Sequence, residues 1–162
     1  MVLFKEQNHV LGDKRHESRP EMRLYLDTNI LVFLWGDRQS INRDVLGMIF
    51  DYSNTLYTST TCVHELIHLF QIGKICWRKQ DGKPFNAEDI FEGLDSMSIK
   101  ILPISEKNLQ EYASLPFIKD HRDPFDRLII AQAISDKATL ISSDLKFQWY
   151  EKFGLKFIQN MK

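Results

Sequence analysis

The sequence predicts an α/β fold with a mostly parallel central sheet. Short β-branched or apolar runs alternate with helical patterns from Arg23 onward. Parallel strands need crossover helices, and this alternation supplies them. The length, 162 residues, suits one domain with one core, and neither an internal repeat nor a second domain is visible.

Arg23 to Leu26 reads as the first strand. The polar turn Asp27-Thr28-Asn29 follows, then an apolar helical stretch from Ile30 to Trp35 that ends at Gly36. Ser40 is expected to cap a helix running through Met48 to Asp51, and Thr55 to Thr58 is a β-branched strand. The hydroxyls of Ser59, Thr60 and Thr61 precede a helix predicted to reach about Lys74. After a polar loop from Trp77 to Pro84, Asn86 opens a helix to about Met97, with Glu88 and Asp89 in the first turn where the dipole favours acids. Ile99 to Leu102 is the third strand, and Ser105 caps a short helix to Tyr112. Asp123 at the N-cap, Pro124 at the first helical position and Asp126 two residues later start the apolar helix through Leu128 to Ile134. Ala138 to Ile141 is a buried strand ending in Ser142-Ser143-Asp144. A last helix from Lys146 to Phe153 and an edge strand from Lys156 to Ile158 complete the pattern.

Apolar residues at 43% and charged residues at 27% are globular proportions, which excludes a disordered or low-complexity chain. The 21 Lys+Arg against 22 Asp+Glu leave a net charge of −1, so any nucleic-acid contact must come from a local patch. The densest apolar stretch, Leu24 to Trp35, is broken by Asp27, Thr28 and Asn29 and falls short of the roughly 20 residues that span a bilayer. The N-terminus mixes acids and bases without the apolar core of a secretory signal. Cys62 and Cys76 lie on one predicted helix, about 21 Å apart at 1.5 Å per residue, and cannot pair unless that helix breaks, for example at Gly73. These features point to a reduced, cytoplasmic setting. Residues 1–21 read as an extension, either mobile or a misassigned start ahead of Met22, with a docked helix as the alternative. The domain proper is expected over 22–162.

Ligands of open α/β sheets bind beyond the carboxyl ends of the strands, where Asp27 and Asp144 fall. Glu65 and Asp126 sit near helix starts and can converge with them. Two like charges about 4 Å apart repel by about 4 kcal/mol at an effective dielectric near 20, so four gathered carboxylates demand cations. Oxygen donors without sulfur or imidazole favour Mg²⁺ or Mn²⁺ over zinc, and such ions activate water for phosphodiester displacement. The residues alone leave a plainer alternative open, in which these acids are helix caps and solvated charges.

The segments LYLDTNILVFLW, TCVHELIHLFQIGKI, DPFDRLIIAQA and ATLISSDLKF, taken in this order, resemble the four acidic signatures of PIN-domain ribonucleases, especially bacterial VapC-like toxins. The resemblance spans roughly residues 22–162. It implies a three-layer α/β/α fold and a cytoplasmic endoribonuclease using Mg²⁺ or Mn²⁺, with RNA as substrate. It also implies a cognate antitoxin and a homodimer. By position, Asp27, Glu65, Asp126 and Asp144 resemble the catalytic acids that hold the metal directly or through water. Asn29 and Ser142 resemble the polar residues beside the first and fourth acids. Asp123 either joins the cluster or caps its helix, with the cap favoured. Arg127 is read as an exposed ion pair rather than a phosphate ligand, and Thr28 as a helix cap. The chain departs from the family in its N-terminal extension and in lacking a basic run beside the site. Lys74, Arg78, Lys79 and Lys83, with Trp77 as a conceivable base-stacking ring, form the best local patch, and a solvated loop is the equal alternative.

One motif competes. His64-Glu65-x-x-His68 matches the zinc-peptidase pattern, with both histidines on one helix face and Glu65 as general base. A third ligand would have to come from His9, His16, His121, Glu88 or Glu92, and this reading leaves Asp27, Asp126 and Asp144 idle. A non-catalytic PIN-like binding module is the other alternative, against which the intact acid quartet argues. Phe33, Trp35, Phe70, Phe117, Phe125, Phe147 and Trp149 are expected in the core or at a dimer surface.

Overall fold

The computed structural model describes residues 20–161, so the expectations for the N-terminal extension lie, apart from Pro20 and Glu21, outside the described residues. Five strands form one sheet: β1 (Arg23–Leu26), β2 (Thr55–Ser59), β3 (Ile99–Leu102), β4 (Thr139–Ser142) and β5 (Lys156–Gln159). All pairings are parallel, in the order β3-β2-β1-β4-β5. The helices are α1 (Thr28–Gly36), α2 (Arg43–Phe50), α3 (Thr60–Gln71), α4 (Ala87–Ser96), α5 (Glu106–Ser114) and α6 (Pro124–Ser135), with 3₁₀ turns at Arg38–Ser40 and Leu145–Phe153.

Alternation along β1 splits the core into two layers, because successive strand side chains point to opposite faces. Leu24 and Leu26 join Ile30, Leu34, Val45, Leu66 and Ile90 beneath α1 to α4. Tyr25 faces the other way and packs with Ile129, Ile130, Ala133, Leu140 and Phe147 beneath α5, α6 and the last 3₁₀ turn. The three-layer α/β/α architecture is therefore as expected. Among the described residues, no helix is long and apolar enough to cross a membrane.

Local chemistry accounts for the differences from the sequence reading. Asn42, not Ser40, caps α2: its side chain accepts from the Asp44 amide, and its own amide donates to Asn160 Oδ1, 2.7 Å away. The α3 helix stops at Gln71 because Gly73 turns left-handed at φ 71°, which costs glycine nothing. Cys76 thus lies beyond the helix; it is exposed, Cys62 is buried, and both are free thiols. The last helix is a 3₁₀ turn, not an α-helix. Of the aromatics, Phe147 is core, whereas Phe117 and Phe125 are more than half exposed.

The loop between α3 and α4 is clamped by Trp77, whose ring lies 4.9 Å from Phe70, 5.5 Å from Phe85 and 5.9 Å from Trp35. Gly36 permits this, since a Cβ there would fall 2.5 Å from Trp77 Nε1.

Candidate active site

Asp27, Thr28, Asn29, Glu65, Asp126 and Asp144 line one cleft of about 300 Å³ beyond the carboxyl ends of the strands. All four acids predicted from the sequence thus meet in space.

Asp27 ends β1, its amide still donating to the Ile141 carbonyl at 3.1 Å, and caps α1 by accepting the Thr28 amide at 2.7 Å. It is 5% exposed. Its other oxygen accepts from Asn29 Nδ2 at 2.9 Å and Ser142 Oγ at 2.6 Å. Asn29 accepts from the Ser143 amide and Ser142 Oγ from the Asp144 amide, so these two residues tie the turn after β1 to the turn after β4.

Burial pushes the Asp27 carboxyl up to about 7, against the lowering hydrogen bonds from Ser142 and Thr28, and the charges of Asp126 and Glu65 add to the rise. Asp126 also rises to about 7, first through burial, then through the charges of Asp123, Asp144 and Glu65. Glu65, in the second turn of α3, accepts from Thr28 Oγ at 2.5 Å. Asp144 caps the last 3₁₀ turn through the Lys146 amide.

No Lys or Arg side chain pairs with these four acids: among the described residues the Lys ion pairs are Lys79 with Asp89 and Lys83 with Asp81. Negative charge accumulates without a Lys or Arg pair among the described residues, and the four acids offer carboxylate oxygen. This set fits a hard divalent cation. The imidazole of His121 stands beside it, with His121, Asp126 and Asp144 offering ligand atoms within 4.8 Å of one another.

The PIN domain family matches residues 24–152. The chain belongs to the PIN domain family. No curated protein sequence matches it. Among solved structures, the PIN fold here is similar to VapBC2 from Rickettsia felis bound to a promoter DNA fragment, with TM-score 0.59 and 23% identity over 85% of this chain and 98% of that one. It is also similar to VapBC-1 from nontypeable Haemophilus influenzae, with TM-score 0.60 and 20% identity over 87% and 100%. VapBC-5 from Mycobacterium tuberculosis, of the VapBC family of toxin-antitoxin systems, gives TM-score 0.53 and 15% identity over 85% and 98%. At these identities the likeness is one of fold.

Within this PIN domain Asp123 is the α6 cap, the role the sequence favours, accepting from the Phe125 and Asp126 amides, and its charge raises the Asp126 carboxyl. Other residues sit otherwise than the sequence suggests. Arg127 is neither an exposed ion pair nor a phosphate ligand: it is 6% exposed, donates to the Leu115 and Pro116 carbonyls, and lies over the Tyr112 and Phe117 rings. Thr28 does not cap α1; Asp27 does, which frees the Thr28 hydroxyl for Glu65. Trp77 is spent on the loop clamp, and Lys79 and Lys83 on their aspartates, so that patch is structural. His64 and His68 are exposed on α3, and among the described residues no third ligand joins them. His121, which the sequence offers only as a possible third zinc ligand, is buried against Asp126, and its place five residues before Asp126 is the signal that could have found it.

Proposed function

We propose that this PIN domain is an endoribonuclease that hydrolyses RNA phosphodiester bonds with Mg²⁺ or Mn²⁺. The carrying observation is the cleft in which Asp27, Glu65, Asp126 and Asp144 gather, with no Lys or Arg paired to them among the described residues. These four carboxylates would hold the cation, which supplies a water of lowered pKa and neutralises charge at the phosphate. The chain's own part is to orient the donors. Ser142 and Asn29 hold one Asp27 oxygen, the Thr28 amide holds the other, and the Thr28 hydroxyl fixes Glu65. The two acids whose carboxyls rise to about 7 are poised to exchange a proton for a cation.

The VapBC complexes that share the fold support a further part of the reading: this chain is the toxin of a toxin-antitoxin pair, held inactive by a cognate antitoxin. The family resemblance of the sequence extends the reading to a homodimeric, cytoplasmic protein. The test is cleavage of a total small-RNA pool by purified, antitoxin-free protein, with Mg²⁺ or Mn²⁺, beside Asp27→Asn and EDTA controls. Discrete products that vanish in both controls are expected. Absence of cleavage by folded, metal-loaded protein would overturn the proposal.

A further inference from the structure

His121 has no place in the carboxylate set, yet it is 3% exposed and makes two side-chain hydrogen bonds. Its Nδ1 lies 2.8 Å from the Tyr150 hydroxyl and its Nε2 lies 3.1 Å from Asp126 Oδ2. Tyr150 is itself fully buried, in the 3₁₀ turn that Asp144 caps. The ring is held edge-on by Phe147 and Tyr150, with centroids 5.8 and 5.4 Å away.

A neutral imidazole carries one N–H, so two arrangements compete. With the proton on Nδ1, His121 donates to the Tyr150 oxygen. The phenol proton then has no acceptor among the described residues, and the bare Nε2 lone pair faces a carboxylate oxygen. With the proton on Nε2, every group is matched: the Tyr150 O–H donates to Nδ1, and Nε2–H donates to Asp126 Oδ2. Buried polar groups are paired in folded proteins, so with the Asp126 carboxylate ionised, as it must be to hold a cation, the second arrangement holds.

We propose that His121 is a positioning residue, locked by Tyr150 as the Nε2–H tautomer, which holds Asp126 Oδ2 and would orient that carboxylate for a cation. The inference rests on Asp126 being a metal ligand. A ligand oriented by an outer hydrogen bond loses rotational freedom, and such outer partners govern affinity without touching the ion. The relay also joins the acids mechanically, because the segment that begins with Asp144 supplies the tyrosine that fixes the histidine on Asp126.

The experiment uses the full chain with ¹⁵N-labelled histidine. In the wild type, NMR should show His121 with a protonated Nε2 and a bare Nδ1, and Tyr150→Phe should lose that single form. Mn²⁺ titration should show His121→Ala binding about 10- to 100-fold more weakly. His121→Gln, whose amide can still donate to the carboxylate, should recover most of that loss, and Tyr150→Phe should lose less than His121→Ala. A protonated Nδ1 in the wild type overturns the proposal, as does direct coupling of Mn²⁺ to a His121 nitrogen. The wild-type tautomer measurement needs no variant to fold. If Asp126→Asn binds Mn²⁺ as the wild type does, the metal role of Asp126 fails, and this proposal with it. If Asp126→Asn loses Mn²⁺ while His121→Ala does not, only the positioning role fails.

Discussion

Asp126 in the first turn of α6 and Asp136 at its C-cap live in opposite circumstances. Asp136, the C-cap, accepts from the Tyr25 hydroxyl at 2.5 Å with one oxygen and from Asn108 Nδ2 at 3.0 Å with the other. Its donors are neutral and come from β1 and α5, so this carboxylate pins a strand and a neighbouring helix to α6. Burial and the adjoining Asp136 hold the Tyr25 phenol well above its ordinary range. Asp126, in the first turn, has one oxygen on a neutral imidazole and three other carboxylates acting on it: Asp123, Asp144 and Glu65. A half-buried acid whose acceptors are filled by neutral donors is architecture. One surrounded by its own kind, with acceptors left over, has the charge and free oxygens that a cation would need.

Substitutions at the two ends should therefore give opposite signatures. The largest effect is on activity: Asp27→Asn or Asp126→Asn should lower RNA cleavage by on the order of 10²–10³-fold, the scale of losing one electrostatic contributor at the reacting phosphate. Circular dichroism should show the fold intact. Full activity in either variant removes that acid from the mechanism. Asp136→Ala should do the reverse: cleavage per folded molecule is kept while the denaturant midpoint reports a loss of about 3 kcal/mol, because a buried phenol and amide lose their shared acceptor.

Metal separates the ends next. At about 100 times the dissociation constant, Mg²⁺ or Mn²⁺ should stabilise the protein by about 2.7 kcal/mol, a melting shift of about 5–10 °C. Asp136→Ala should keep this shift and Asp27→Asn should lose it.

The pH dependence follows from the raised carboxyls. Asp27 and Asp126 stand at about 7 in the folded protein against an ordinary 3.8, so the stability owed to their neutral forms is complete below about pH 3.8 and is lost as pH rises through 7. The metal-free melting temperature of the wild type should fall across that window relative to the double Asn variant. The metal-induced shift should be larger at pH 8 than at pH 5.5, because protons and cations compete. The smallest effect is expected for His64→Ala and His68→Ala: stability within about 0.5 kcal/mol of wild type and metal content unchanged. Loss of stoichiometric zinc from either would restore the peptidase reading.

Features set by neighbours in sequence were legible beforehand. The first and third strands fall where their apolar runs fall, and Asp123-Pro124 opens α6 as its chemistry requires. Features set by distant partners were not. Ser40 and Asn42 are both competent caps, and Asn160, far along the chain, bonds the Asn42 amide. Arg127 is an ordinary surface charge until the Leu115 and Pro116 carbonyls fill its donors in the interior. The acids could be suspected from their places at element ends. Their meeting depends on β1 lying between β2 and β4, an order that alternation alone does not give. The partnership of His121 with Tyr150, 29 residues away, has no sequence signal at all.

That strand order also sets when a growing chain acquires its cleft. Asp27 is held by Ser142, 115 residues downstream, on a strand added after most of the domain. At synthesis rates of about 5–20 residues per second, roughly 6–23 s separate the two. Through that interval the nascent chain carries Asp27 without the partner that orients it. A fragment broken off before β4 keeps Asp27, Glu65 and Asp126 but lacks both Asp144 and the strand that seats the first acid. Topology thus delays the assembled cleft until β4 has been made.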